Sequence, residues 1–242
     1  MFELAGKKVL VTGSTQGIGY AIAKCLADRG AQVFVNGAHS EEKTIAAAQK
    51  INGAIPVTVD LSKPECAERL YAVTGDVDIL VLNASVQIRK AWDQITEDEF
   101  ERQIDINLKA SVKLIQKYAP HMKEQRWGRI VTVGSVQQYR PHKDMLIYAA
   151  SKCAQVSIVN NLAKQLAPYG ITVNNISPGV IETPRNEKVL ADKEYEKQVL
   201  KGIPCEYMGK PEDCAAGALL LCSEEGRYIT GTDLVIDGGM HL

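Results

Sequence analysis

Short apolar runs rich in β-branched residues alternate along the chain with longer stretches whose apolar positions recur every three or four residues. The first run is Lys8-Val9-Leu10-Val11. Ile18, Ala21, Ile22, Cys25 and Leu26 then fall on one face of a helix predicted over 17–29, which Gly30 stops. Further strands are predicted at 32–36, 55–59, 79–82, 130–133, 172–176 and 233–236. Helices are predicted at 41–51, 64–73, 97–124, 148–167, 192–200 and 211–222.

This strand–helix alternation predicts an α/β fold: one doubly wound, Rossmann-type parallel sheet of about seven strands, with helices on both faces. The strands are short and mostly apolar, as a sheet covered on both sides requires. Residues 1–242 read as a single domain, with a substrate loop at about 183–205. Ligands of such sheets bind beyond the carboxyl ends of the strands, so the residues just after each strand carry the functional expectation.

Charge and cysteine content narrow the classes. The 28 basic and 29 acidic residues leave a formal net charge of -1, with no basic stripe for nucleic acid. The 6 cysteines lie in no C-x-x-C pair and beside no histidine cluster. That pattern points to free thiols in a reducing compartment and to no metal site. There is no apolar signal core and no run near the ~20 residues that span a bilayer. The expectation is a cytoplasmic protein with neither membrane nor nucleic acid as partner.

Thr12-Gly13-Ser14-Thr15-Gln16-Gly17-Ile18-Gly19 joins the first strand to the first helix. Gly13 lets the chain turn, and Gly17 and Gly19 let a pyrophosphate approach the backbone at a helix start. With its Gly-x-x-x-Gly-x-Gly spacing, this segment resembles the short-chain dehydrogenase/reductase family. The resemblance runs nearly the whole chain. It includes Asn83-Ala84-Ser85 after the fourth strand, Asn107 within a long helix, and Ser135 after the fifth strand. It continues through Tyr148-Ala149-Ala150-Ser151-Lys152, the turn Pro178-Gly179-Val180-Ile181-Glu182-Thr183, and Thr230-Gly231 with Asp237-Gly238-Gly239.

Tyr-x-x-x-Lys alone is not specific, since Tyr20 with Lys24 and Tyr139 with Lys143 share the spacing. Only Tyr148 opens a long helix with a serine at the end of the preceding strand. Carbonyl reduction needs an acid beside the oxygen, and alcohol oxidation needs the same group as a base. A nearby ammonium favours a phenolate, and residues four apart on a helix share a face. The resemblance therefore implies Tyr148 as acid–base and Lys152 as its partner and a ribose ligand. It also implies Ser135 as the substrate-oxygen donor and Asn107 as holder of a water behind Lys152.

For the cofactor, the expected contacts are Gly13, Ser14, Thr15, Gln16, Gly17, Ile18, Gly19, Asn36, Asp60, Leu61, Asn83, Ala84, Tyr148, Lys152, Pro178, Gly179, Ile181 and Thr183. No carboxylate stands at the end of the second strand to repel a 2′-phosphate, so the expectation leans to NADP over NAD. The substrate side is expected to include Ser85, Gln137, Tyr139 and Glu182, polar groups suited to a sugar, polyol or hydroxy acid. A ketoacyl reductase of fatty-acid synthesis and a non-catalytic dinucleotide sensor are the alternatives. Leu82, Ser85 and Tyr207 depart from the family pattern. The resemblance also implies a homotetramer, or a homodimer, built on the long helices around Asn107 and Tyr148.

Overall fold

The computed structural model describes residues 1–242, apart from the side chains of residues 188–190. Seven strands form one parallel sheet in the order β3-β2-β1-β4-β5-β6-β7. They are β1 (Lys8–Val11), β2 (Gln32–Gly37), β3 (Ile55–Thr58), β4 (Ile79–Leu82), β5 (Gly128–Val133), β6 (Ile171–Pro178) and β7 (Asp233–Ile236). The helices are α1 (Gly17–Ala27), α2 (Glu41–Ala48), α3 (Cys66–Thr74), α4 (Glu97–Ile104), α5 (Ala110–Glu124), α6 (Leu146–Leu166), α7 (Pro184–Leu190), α8 (Lys193–Lys201) and α9 (Pro211–Cys222).

The strand period of two divides the apolar residues between two cores. Val9, Val11, Val33, Val35, Ile79 and Val81 face α1, α2 and α9. Leu10, Phe34, Leu80, Leu82 and Ile130 face α3, α5 and α6, against Leu70, Leu114, Tyr118 and Val159. The central strands β1, β2, β4, β5 and β6 are thus buried on both sides, whereas the edge strands β3 and β7 are partly exposed.

The helix predicted over 97–124 is not uniform. A π-type turn at Asp105–Lys109 separates α4 from α5 and carries Asn107. Within the 183–205 substrate segment, α8 matches the helix predicted at 192–200, and α7 is an additional helix that the pattern did not predict. Strand order reverses between β1 and β4, which opens a crevice between the turns that leave them. No helix among the described residues is long and apolar enough to cross a membrane.

Candidate active site

A cavity of about 620 Å³ lies over the carboxyl ends of the strands. Its walls include the glycine turn, Asp60 and Leu61 after β3, Asn83 to Ser85 after β4, Ser135 and Gln137 after β5, Tyr148 on α6, and Pro178, Gly179, Ile181 and Thr183 after β6.

The floor of the crevice is stitched by side chains. The Thr12 hydroxyl accepts from the Asn83 and Ala84 amides at 3.0 and 3.1 Å. The Asn83 carboxamide donates to the Thr12 and Gly13 carbonyls at 2.9 Å each. A Cβ on Gly13 would stand 2.8 Å from the Ala84 Cα, and one on Gly19 2.7 Å from the Gly13 carbonyl oxygen. Gly13 and Gly17 also hold φ of 61° and 60°, in the left-handed region that favours glycine.

The first turn of α1 contains no acidic residue, and the Gln16 side chain does not cap it. Its free N–H groups and positive dipole end therefore face the cavity, available to an anion. These residues fit the pyrophosphate of a dinucleotide.

At the adenosine end, partial burial acts to raise the Asp60 carboxyl. The Ser62 amide and hydroxyl, with His39, outweigh it and hold the group below its usual range. The Ser62 N–H donates to Asp60 at 2.9 Å, and His39 Nδ1 stands 3.7 Å from its Oδ2.

Three sequence expectations need correction, for Ser14, Tyr139 and Glu182, and the role of Asn36 is narrowed. Asn36 is 2% exposed and its carboxamide is already occupied. Nδ2 donates to the Gly37, Val57 and Val59 carbonyls, and Oδ1 accepts from the Gly13 amide. Its carboxamide braces the glycine turn against β2 and β3, so Asn36 lines the cavity with a side chain already engaged by the protein.

Ser14 is likewise internal: its hydroxyl donates to the Val11 carbonyl at 2.6 Å and accepts from the Asn36 amide at 3.0 Å. Tyr139 lies outside the cavity walls, 45% exposed, with its hydroxyl donating to Asp233 at 2.5 Å. Glu182 is an exposed residue, also off the cavity walls. In each case local hydrogen bonding or chain direction, which sequence spacing does not encode, decided the side chain's place.

Ser135 ends the stretch after β5 and its hydroxyl accepts from the Gln137 amide at 3.2 Å. Tyr148 is 5% exposed at the start of α6. Lys152, one turn on, is 1% exposed and sits below the cavity. Its Nζ donates to the Val133 carbonyl at 2.7 Å and to Gln155 Oε1 at 3.0 Å, and lies 5.6 Å from the centre of the Tyr148 ring. Burial, with a smaller contribution from the Arg185 charge, lowers Lys152 to about 7.

The π-type turn fixes Asn107. Its carboxamide accepts from the Val86 amide at 2.8 Å and donates to the Val86 carbonyl and the Ser151 hydroxyl. Its backbone carbonyl accepts from Gln155 Nε2 at 2.8 Å. The carbonyl is therefore tied to Lys152 through the Gln155 side chain. Gln155 was not legible as a site residue; its position three after Lys152, on the same helix face, was the available signal.

The fold and this cavity define a nicotinamide-dinucleotide oxidoreductase. The family model described as Enoyl-(Acyl carrier protein) reductase matches residues 13–241. The 3beta-hydroxysteroid dehydrogenase 1 of Eggerthella lenta is 36% identical over 249 residues, covering 99% of this chain and 95% of its own.

A 3-oxoacyl (acyl-carrier-protein) reductase from Agrobacterium tumefaciens, solved with NADP bound, superposes with a TM-score of 0.93 at 35% identity. That match covers 98% of this chain and 95% of the other. A gluconate 5-dehydrogenase from Burkholderia cenocepacia, in complex with NADP and tartrate, gives a TM-score of 0.91 at 29% identity, covering 99% and 96%. The chain belongs to the short-chain dehydrogenase/reductase family, oxidoreductases of CH–OH groups that use NAD(P).

Proposed function

We propose that this protein transfers a hydride between NADP(H) and a secondary alcohol or ketone on a small polar molecule. One observation carries the reading: Ser135 and Tyr148 open onto the same cavity as the glycine turn, with Lys152 buried directly beneath. When bound, the nicotinamide supplies or accepts the hydride.

The protein's part is to orient the reacting oxygen and move one proton. Ser135 donates a hydrogen bond to that oxygen and stabilises charge developing on it. Tyr148 Oη gives the proton in reduction and takes it in oxidation. Lys152 is held by Val133 and Gln155 so that its amine stays beside the phenol ring; Gln155 is a positioning residue. The choice of NADP rests on the end of β2, where Gly37, Ala38 and His39 line the cavity and no carboxylate opposes a 2′-phosphate.

The test is absorbance at the nicotinamide band with NADPH or NADH and a panel of ketones, keto-sugars and oxo acids. Turnover with NADPH preferred is expected; absence of hydride transfer to every member would end the reading. Ser135→Ala is expected to lower kcat by about 10²-fold with little change in cofactor affinity. An unchanged kcat would remove Ser135 from the mechanism.

The same reading places the protein in the cytoplasm, where its six free cysteines remain reduced. It also makes the protein a homotetramer or homodimer joined at α5 and α6. Val112, Ile115, Ile158 and Leu162 line a shallow hollow of about 350 Å³ on that face. Sedimentation velocity should show a dimer or tetramer, and a stable monomer at micromolar concentration would reject it.

A further inference from the structure

The wall of the cavity is charged unevenly. Its sole carboxylate among the described residues is Asp60, at the adenosine end. The remainder carries Arg89, Arg102, Arg185 and His142. None of these three guanidiniums has a carboxylate partner among the described residues. In a chain of net charge -1, such a local excess of unpaired cations calls for a ligand-based explanation.

Arg89 and His142 show what kind of ligand. They come from the loops after β4 and β5, the same loops that carry Ser85 and Ser135. The Asp144 amide stands 3.1 Å from His142 Nδ1, and Arg89 Nη2 stands 3.3 Å from Nε2. A neutral ring has one N–H and one acceptor nitrogen, so it can accept from only one of these two donors. Three N–H donors thus meet at the ring with one acceptor among them. Gln137 adds to the set: its Oε1 is taken by the His142 amide at 2.7 Å, which leaves its NH₂ as a donor on the cavity wall.

We infer that this convergence of Arg89, His142 and Gln137 donors is a carboxylate subsite, and that the substrate is a small hydroxy or oxo acid. The inference rests on the hydride-transfer reading above and specifies its substrate. A carboxylate offers two coplanar oxygens with about four lone-pair sites, which match a guanidinium fork and two further N–H groups. A neutral polyol hydroxyl accepts from one or two donors and leaves the charge uncompensated. The cofactor's phosphates have their own place at the start of α1, on the glycine turn.

The experiment is isothermal titration of L-tartrate, L-threitol and sn-glycerol 3-phosphate into protein saturated with NADP⁺. These probes carry carboxylates, hydroxyls alone, and a phosphate. Tartrate is expected to bind at least about 10-fold tighter than threitol and tighter than the phosphate. Arg89→Gln and, separately, His142→Gln should weaken tartrate binding, the former by about 10-fold to 100-fold. NADP⁺ affinity should stay within about twofold, since the cofactor's phosphates bind at the helix start. Arg89 is exposed, so its loss leaves the fold intact.

Failure of tartrate to bind, equal binding of threitol, tighter binding of the phosphate, or indifference to Arg89→Gln would overturn the subsite. A parallel assay of hydride transfer from gluconate and glucose separates the two claims. Arg89-dependent tartrate binding with no hydride transfer for gluconate, glucose or any member of the carbonyl panel would sink the hydride-transfer reading and keep the subsite. Turnover of the neutral sugar in preference to the acid would do the reverse.

Discussion

Tyr148→Phe is expected to lower kcat by about 10³-fold or more while leaving cofactor affinity and fold intact. A positioned general acid contributes typically 10²–10⁴ in rate, and no other phenol on the cavity wall can replace this one. Tyr195, the remaining tyrosine there, has its hydroxyl 3.5 Å from Arg89 Nη2, on the substrate side. The substitution deletes one oxygen and keeps the ring, which packs at 5% exposure. Among the described residues the Tyr148 hydroxyl makes no protein hydrogen bond, so its removal orphans no buried partner. The melting temperature should therefore move by less than about 4 °C. Steady-state rates with NADPH, paired with a cofactor titration, separate the outcomes. A variant retaining a tenth of the wild-type kcat would show that the proton comes from elsewhere.

Much of this arrangement could be read from the chain. The alternation of short apolar runs with helical stretches predicted the parallel sheet, and the glycine turn marked the end of β1 as the cofactor's place. Tyr148 was separated from Tyr20 and Tyr139 by element position alone. The structure supports that choice in a specific way: Tyr139 turns its hydroxyl to Asp233, 94 residues away.

What could not be read depends on partners distant in sequence. Asn36 looked like a ligand because it ends β2 with a polar group. It is consumed by carbonyls at Val57 and Val59 and by the Gly13 amide, none of them near it in the chain. Gln155 looked like one more helix residue, yet it joins Lys152 to the carbonyl of Asn107. The π-type turn that presents that carbonyl leaves no apolar-periodicity signal strong enough to notice, because it displaces the helix by only one residue. Arg89 and His142 leave different strands, and their meeting at 3.3 Å exists only in three dimensions.

Lys152→Met carries the other large effect, on catalysis and on stability together. Activity should fall by about 10²-fold or more, since the amine beside the phenol is gone. The stability change has a sign fixed by linkage. Lys152 is lowered from 10.5 to about 7 by burial and by the Arg185 charge. Between those values the unfolded chain holds a proton that the folded, cofactor-free chain has released. Stability attributable to this residue therefore rises as pH increases from about 7 toward 10, by at most about 1.4 kcal/mol per pH unit. Below pH 7 both states are protonated, and the cost of burying the ammonium is fully present.

Methionine removes that titration, so urea midpoints of the variant between pH 7 and 9 should rise less with pH than those of the wild type. It also leaves the Val133 carbonyl and Gln155 Oε1 without their donor, which costs about 1–3 kcal/mol for each group at every pH. The absolute stabilities thus mix two effects, whereas the difference in pH slope isolates the titration. Equal slopes in the two proteins would mean that Lys152 keeps its proton throughout, with its two oxygen partners offsetting the burial. The ammonium would then be a fixed charge beside Tyr148 across the working pH range, and the activity loss in the variant would be independent of pH.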